Sequence, residues 1–363
     1  VGDRGRKIDR HHQPLKQCQA GAPSKKVGVV VVHARAMPET LHLATVLSKS
    51  RDMAGLICAI TGTTSGTGFV CARELARKGA TVVLLNRKSS RSDAALTSLQ
   101  EAVPGATFDA IECDLQSFAS VRAAASTITA KYPQLDVLVN NAGVMALKDV
   151  ATGDGYDVQM QTNVLSHFLL TKELFALLKK SPAVARVVNH TSAARNGPPL
   201  EPQYFEPKGG DLGGDGTEEE SMSYSGPRWA RYHQTKLANC CFTYSLKQKL
   251  EAAGLAGKVM PLLAHPGLAL TSLQVTTAAD GGMDNDPNGF MSKAQSAEDG
   301  ACGIIRAAID PASKPGDFYG PSPNWMAGEP VDIEPEPLLF DPANLAINWE
   351  GCEKAVGAFA ITA

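Results

Sequence analysis

Two groups of residues in this 363-residue sequence have types and spacing suited to chemistry. The first is Thr61-Gly62-Thr63-Thr64-Ser65-Gly66-Thr67-Gly68, set between an apolar run and a helical stretch. Glycines in a strand-to-helix turn let the backbone bend sharply and approach a pyrophosphate, whose charge then sits at the helix N-terminus. The second is Tyr232 with Lys236, four residues apart and therefore one helical turn from each other. A phenol ionises at about pH 10, and an ammonium on the next turn favours its phenolate. Such a pair can give or take a proton near neutrality.

The elements that must hold these groups follow a regular rhythm from residue 55 onward. Short β-branched runs predict strands at 56–61, 81–86, 107–113, 135–140, 185–190 and 258–264, with a last short one at 317–320. Helical spacing predicts helices at 66–78, stopped by Gly79, then at 94–102, 118–131, 156–180 (long, with a break), 229–253 and 297–309. Buried apolar strands alternating with helices imply an α/β fold, a doubly wound parallel sheet of about seven strands with helices on both faces.

Three stretches lie outside that rhythm. Residues 1–54 form an N-terminal extension, basic and patternless up to residue 26. It reads either as a disordered leader or as the remnant of a targeting segment on a processed or truncated chain that starts at Val1. Residues 195–228, rich in Pro, Gly and acid, are a long insertion, and 268–296 have the Gly, Asp and Met content of a mobile lid. Residues 321–363 are a Pro-rich tail with a short helix near 344–356, anchored by Trp349. The cofactor-binding domain is accordingly placed at 55–320.

Composition narrows the function classes. A net charge of −2 gives no reason to expect nucleic acid as a partner, and the apolar content of 44% is ordinary for a globular chain. No run reaches the ~18 apolar residues of a membrane span; the longest, 27–32, has strand length. Peripheral membrane or protein-complex association and oligomeric state stay open. The eight cysteines form no C-x-x-C pair and no cluster with metal-ligand spacing, so no metal is expected. They read as buried thiols in an intracellular reducing compartment, with cytoplasm and an organelle such as the plastid both open.

Cofactor choice is read at Asn86-Arg87-Lys88-Ser89, after the second strand. An acidic residue there would bond the adenosine 2′-hydroxyl; a guanidinium and an ammonium instead suit a 2′-phosphate, pointing to NADP(H). The plain alternative is a solvated pair of loop charges.

The spacing Gly62, Gly66, Gly68 resembles the short-chain dehydrogenase/reductase family, and further motifs agree in order. Asn140-Asn141-Ala142-Gly143 closes the fourth strand, and Asn163 holds the position of the family's helix asparagine. Ser192 follows the fifth strand, Tyr232-His233-Gln234-Thr235-Lys236 matches Y-x-x-x-K, and Pro266-Gly267 follows the sixth strand. The match runs from about residue 55 to 320. The resemblance implies a Rossmann-type fold, a bound nicotinamide dinucleotide and hydride transfer to or from a carbonyl or alcohol carbon. It makes Tyr232 the general acid and base, Ser192 the residue that polarises the substrate oxygen, and Lys236 a partner of the nicotinamide ribose. Asn163 would hold a water that relays protons to Lys236, unless it merely caps or kinks its helix. The cofactor set it implies is Gly62, Thr64, Ser65, Gly66, Thr67 and Gly68, with Arg87, Lys88, Asn141, Ala142, Gly143, Tyr232, Lys236, Pro266 and Gly267. Asp114-Leu115 match a pair that contacts adenine, and Thr271 a threonine that contacts the carboxamide.

The helix from Tyr232, with Lys236-Leu237-Ala238-Asn239, resembles the retinol dehydrogenase branch. That branch and the related light-dependent protochlorophyllide reductases widen the gap between serine and tyrosine, and both act on large apolar compounds. The reductases carry a cysteine shortly after the lysine. Here position 238 is Ala and the cysteines fall at 240 and 241, which counts against the pigment reaction. The expected substrate is a large apolar carbonyl compound, retinal-like or a lipid aldehyde. Two alternatives are a pigment reductase and a non-catalytic NADP(H)-binding structural subunit. Tyr204, Phe205, Met222, Tyr224, Trp229, Phe290 and Met291 are the side chains expected to cover the substrate, carried by the insertion and the lid.

Overall fold

The computed structural model describes residues 38–284 and 289–362. The basic stretch 1–26, the apolar run 27–32 and Cys18 lie outside the described residues. In chain order the first elements are α1 (Leu43–Ser48), β1 (Ile57–Thr61), α2 (Gly66–Arg77), β2 (Thr81–Asn86), α3 (Ser90–Ala102), β3 (Phe108–Glu112), α4 (Phe118–Lys131) and β4 (Val137–Asn140). They continue with α5 (Val158–Met160), α6 (Ser166–Leu178), β5 (Ala185–His190), α7 (Glu218–Met222), α8 (Gly226–Ala252) and β6 (Val259–Ala264). The last are α9 (Ser272–Ala279), α10 (Ala297–Ile309), β7 (Phe318–Asn324), β8 (Ala327–Asp332) and α11 (Pro342–Val356).

The strands form one sheet in the order β3-β2-β1-β4-β5-β6-β7-β8, parallel except for the β7–β8 pair. Every residue of β1, β4 and β5 is buried, as expected for apolar strands covered on both faces. One face packs against α4, α6, α8 and α11 around Phe168, Leu174 and Phe242, and the other against α1, α2 and α10 around Leu75, Ile60 and Ile304. Strand order reverses between β1 and β4, which leaves a crevice at their C-terminal ends.

The sheet has eight strands among the described residues, one beyond the expected seven. The difference lies at 321–332, where Pro321, Pro323 and Pro330 suggested a tail. Proline lacks the N–H that a central strand needs, but an edge hairpin tolerates it, and β7–β8 is that edge. The sheet therefore runs through residue 332, past the expected boundary at 320. The end of the N-terminal extension also belongs to this packing: Asp299, in the first turn of α10, accepts the backbone N–H groups of Leu41 and His42.

Only part of the insertion 195–228 faces the cleft, through Asn196 and Tyr224; much of the rest packs into the fold. Leu200 and Phe205 are buried in the main core, with Tyr204 packed against it. A buried carboxylate, Asp149, accepts the N–H groups of Gly210, Leu212 and Gly214. The fully buried Arg231 donates to the carbonyls of Leu212 and Gly214 and lies 3.4 Å from Asp157. This stretch has its own apolar and ionic anchors, which Pro/Gly content alone does not reveal. The tail helix behaves as expected: Trp349 sits 5.0 Å from Phe168 and stacks on Phe359 at 5.6 Å.

Candidate active site

A cleft of about 750 Å³ opens at the C-terminal ends of β1, β2, β4 and β5. Its floor is the turn after β1. Gly62 has a left-handed backbone (φ +72°), and a Cβ there would stand 2.8 Å from that of Ala142. Gly68 is needed for close approach, since its Cβ would fall 2.3 Å from both the Asn141 side chain and the Gly62 carbonyl. Gly62, Thr64, Ser65, Gly66 and Thr67 line the cleft; Gly68 lies beneath them as packing. Asn141 ties the turn to β4, donating to the carbonyls of Thr61 and Gly62 and accepting from the Thr67 hydroxyl.

At the far wall Asn86 does not face outward; its amide holds Thr63 through Nδ2 and Oδ1. Arg87 is exposed and lines the cleft, while Lys88 does not. Lys88 falls in the turn just ahead of α3, whose N-cap is Ser89. Arg91, inside that helix, lines the cleft instead and donates to the Ser65 hydroxyl at 2.9 Å. Arg91 was missed in the sequence because it sits beyond the motif; a basic residue in the first turn of the helix after β2 is the signal that could have found it. Asp114, Leu115, Asn141, Ala142, Gly143, Pro266, Gly267 and Thr271 all line the cleft. Thr271 caps α9 and lies against Gly66.

Ser192, Tyr232 and Lys236 come together at the inner end. Tyr232 and Lys236 stand on α8, whose first turns cross below β5. The lysine Nζ lies 5.6 Å from the Tyr232 ring centre and donates to the His190 carbonyl at 3.2 Å. Burial pushes the phenol up to about 12, against the opposing effect of a hydrogen bond with Ser192. Burial also brings the lysine down to about 8. Burial removes solvation from both charged forms, so the phenol stands above and the ammonium below its ordinary value although the two side chains are neighbours.

The side chain of Asn163 is engaged by the protein itself. The residue lies in a π turn, Gln161–Leu165, between α5 and α6. Its Oδ1 accepts from the Val144 N–H, and its Nδ2 donates to the Val144 carbonyl and the Thr235 hydroxyl. The extra residue of the π turn swings the amide onto the 143–144 backbone, so it clamps Gly143–Val144 to α8 and does not line the cleft.

The outer end is apolar. Met145, Trp229, Tyr232, Leu268, Met283 and Met291 form a separate small core there. Trp229 is fixed by an indole N–H bond to the Gly282 carbonyl. Tyr204, Phe205 and Met222 are not part of this wall. Trp325, at the tip of β7–β8, is, and sequence reading missed it because its hairpin looked like tail.

Comparison with known proteins agrees with this arrangement. The family described as short chain dehydrogenase matches residues 57–210. Retinol dehydrogenase 14 of Mus musculus is 36% identical over 231 residues, covering 61% of this chain and 62% of that relative. The chloroplastic short-chain dehydrogenase TIC 32 A of Brassica napus is 32% identical over 231 residues, covering 62% of this chain and 68% of its own length. This chain belongs to the short-chain dehydrogenase/reductase family. A crystal structure from Mycobacterium paratuberculosis superposes on this family member with a TM-score of 0.66 at 28% identity, covering 87% of this chain and 98% of that one. The chain spans less than two thirds of the length of the retinol dehydrogenases it matches. No helix among the described residues is long and apolar enough to cross a membrane.

Proposed function

We propose that this short-chain dehydrogenase/reductase binds NADP(H) and moves a hydride between the nicotinamide and the carbonyl or alcohol carbon of a large apolar substrate, retinal-like or a lipid aldehyde. One observation carries the substrate class. A file of aromatic rings leads from the half-exposed Trp325 to Phe290 (6.3 Å), Tyr224 (5.3 Å), Trp229 (5.1 Å) and the buried Tyr232 (5.8 Å). A polar small-molecule site would have few such groups. Tyr224 holds its place with φ +58°, a left-handed backbone that a bulky residue adopts at a cost.

The residues present fit the cofactor. Gly62 and Gly68 let the β1 turn pack closely on Ala142 and Asn141, and Gly62, Thr64, Ser65, Gly66 and Thr67 face the cleft where a pyrophosphate would sit. The Arg87 guanidinium has no hydrogen bond or ion pair among the described residues and lines the cleft, so it is available to a 2′-phosphate, as is Arg91 on the same wall. NADPH, when bound, supplies the hydride. Tyr232, a neutral phenol at pH 7, gives its proton to the carbonyl oxygen. Ser192 donates a hydrogen bond to that same oxygen and polarises it. Lys236, cationic below about pH 8, stabilises the phenolate left behind. All seven described cysteines are buried free thiols, which supports a reducing compartment, cytoplasm or plastid.

The test is NADPH oxidation by the purified chain against retinal, long-chain aldehydes, short aldehydes and chlorophyll precursors. Turnover with the large apolar aldehydes above the short ones is expected. NADPH binding without turnover on any of them would leave a non-catalytic subunit.

A further inference from the structure

We propose that Arg195 and Glu336 form a positioning pair for Ser192, so that the C-terminal segment sets the geometry of the contact with the substrate oxygen. This rests on the reading of Ser192 given above. Ser192 caps a single 3-10 turn, Ala193–Arg195, through its own hydroxyl. Its carbonyl accepts two bonds from Arg195, one from the backbone N–H at 3.1 Å and one from Nη1 at 3.2 Å.

The Arg195 side chain is itself held from three sides. Nη2 and Nε donate to the two carboxylate oxygens of Glu336 at 2.5 and 3.2 Å, a fork-to-fork pair. The guanidinium lies 4.7 Å over the Phe318 ring in β7. The side chain is 4% exposed and that of Glu336 35%. Glu336 stands between β8 and the short turn Pro337–Phe340, more than 140 residues after Ser192. A buried guanidinium deprived of its carboxylate must turn toward other acceptors or water. Arg195 could not do so and keep its bond to the Ser192 carbonyl. The turn carrying the Ser192 hydroxyl would then shift, and small misplacements at a reacting centre are costly.

A double-mutant cycle on the full chain tests this, with Glu336→Gln, Ser192→Ala and the two combined. The readouts are kcat/KM for a long-chain aldehyde, NADPH binding by fluorescence and thermal unfolding. Glu336→Gln is expected to lower kcat/KM by about tenfold, mostly in kcat, while NADPH binding is unchanged. In the Ser192→Ala background the same substitution should cost nothing further, because its effect passes through Ser192. An equal loss in both backgrounds would overturn the proposal, making the pair a support of the fold alone. Full activity in Ser192→Ala would instead overturn the reading of the serine. If Glu336→Gln does not fold, Arg195→Leu combined with Glu336→Leu leaves no unpaired interior charge and is read through the same cycle.

Discussion

The half of the cleft proposed to hold the cofactor is formed by turns that directly follow β1, β2 and β4, each fixed by a few neighbouring residues. The aromatic half takes Tyr224 and Trp229 from the entry to α8, Phe290 from a turn before α10, and Trp325 from the tip of the edge hairpin. In the first half, backbone shape does the work, and glycine and asparagine set it locally. In the second, side chains from distant segments meet only because the sheet and α8 are already in place. A local site tolerates little change at its own residues, whereas an assembled one can lose a wall residue and keep its frame.

Three substitutions press on that difference. Gly68→Val should have the largest effect. A side chain there meets the Asn141 amide and the Gly62 carbonyl, so about 1–3 kcal/mol of stability should be lost, with NADPH binding strongly weakened. Thermal unfolding and a fluorescence titration measure both. A well-folded variant with normal binding would show that the turn is looser than its packing implies. Arg87→Asp should leave stability intact and lower the preference for NADPH over NADH by about a hundredfold. That corresponds to ~2.8 kcal/mol for losing a charge-assisted contact and adding a repulsive carboxylate. A variant whose selectivity moves only when Arg91 is also changed would shift the recognition to Arg91. Trp325→Ala should act least, raising KM for a long-chain aldehyde about tenfold with little change for a short one. Equal changes for both lengths would remove Trp325 from the substrate wall.

The same contrast explains what the sequence made legible. The β1 turn, Asn141, Ser192, Tyr232 and Lys236 follow strand ends or helix starts at short fixed spacing, so their meeting could be read from the motifs. Boundaries of β2, α4, β5 and α10 were also readable, because apolar periodicity and end residues act within a turn or two. Arg91 was not, since its reach to Ser65 depends on how α3 leans over the β1 turn. The eighth strand was hidden by prolines that only an edge position tolerates. The core role of Leu200 and Phe205 was hidden because a Pro/Gly-rich stretch shows no period, although two apolar side chains suffice to anchor it. The clamp role of Asn163 depends on a π turn, which leaves no periodic trace in a helix that reads as continuous.

Tyr232→Phe tests the central claim most directly, because it removes one oxygen from a buried ring and leaves the packing around Trp229 in place. Reduction of a long-chain aldehyde by NADPH should fall by about 10²–10⁴-fold, while NADPH binding by fluorescence and the unfolding temperature stay close to those of the unchanged chain. Near-normal turnover in this variant would contradict the assignment of Tyr232 as the proton donor and, with it, the mechanism built on the cleft.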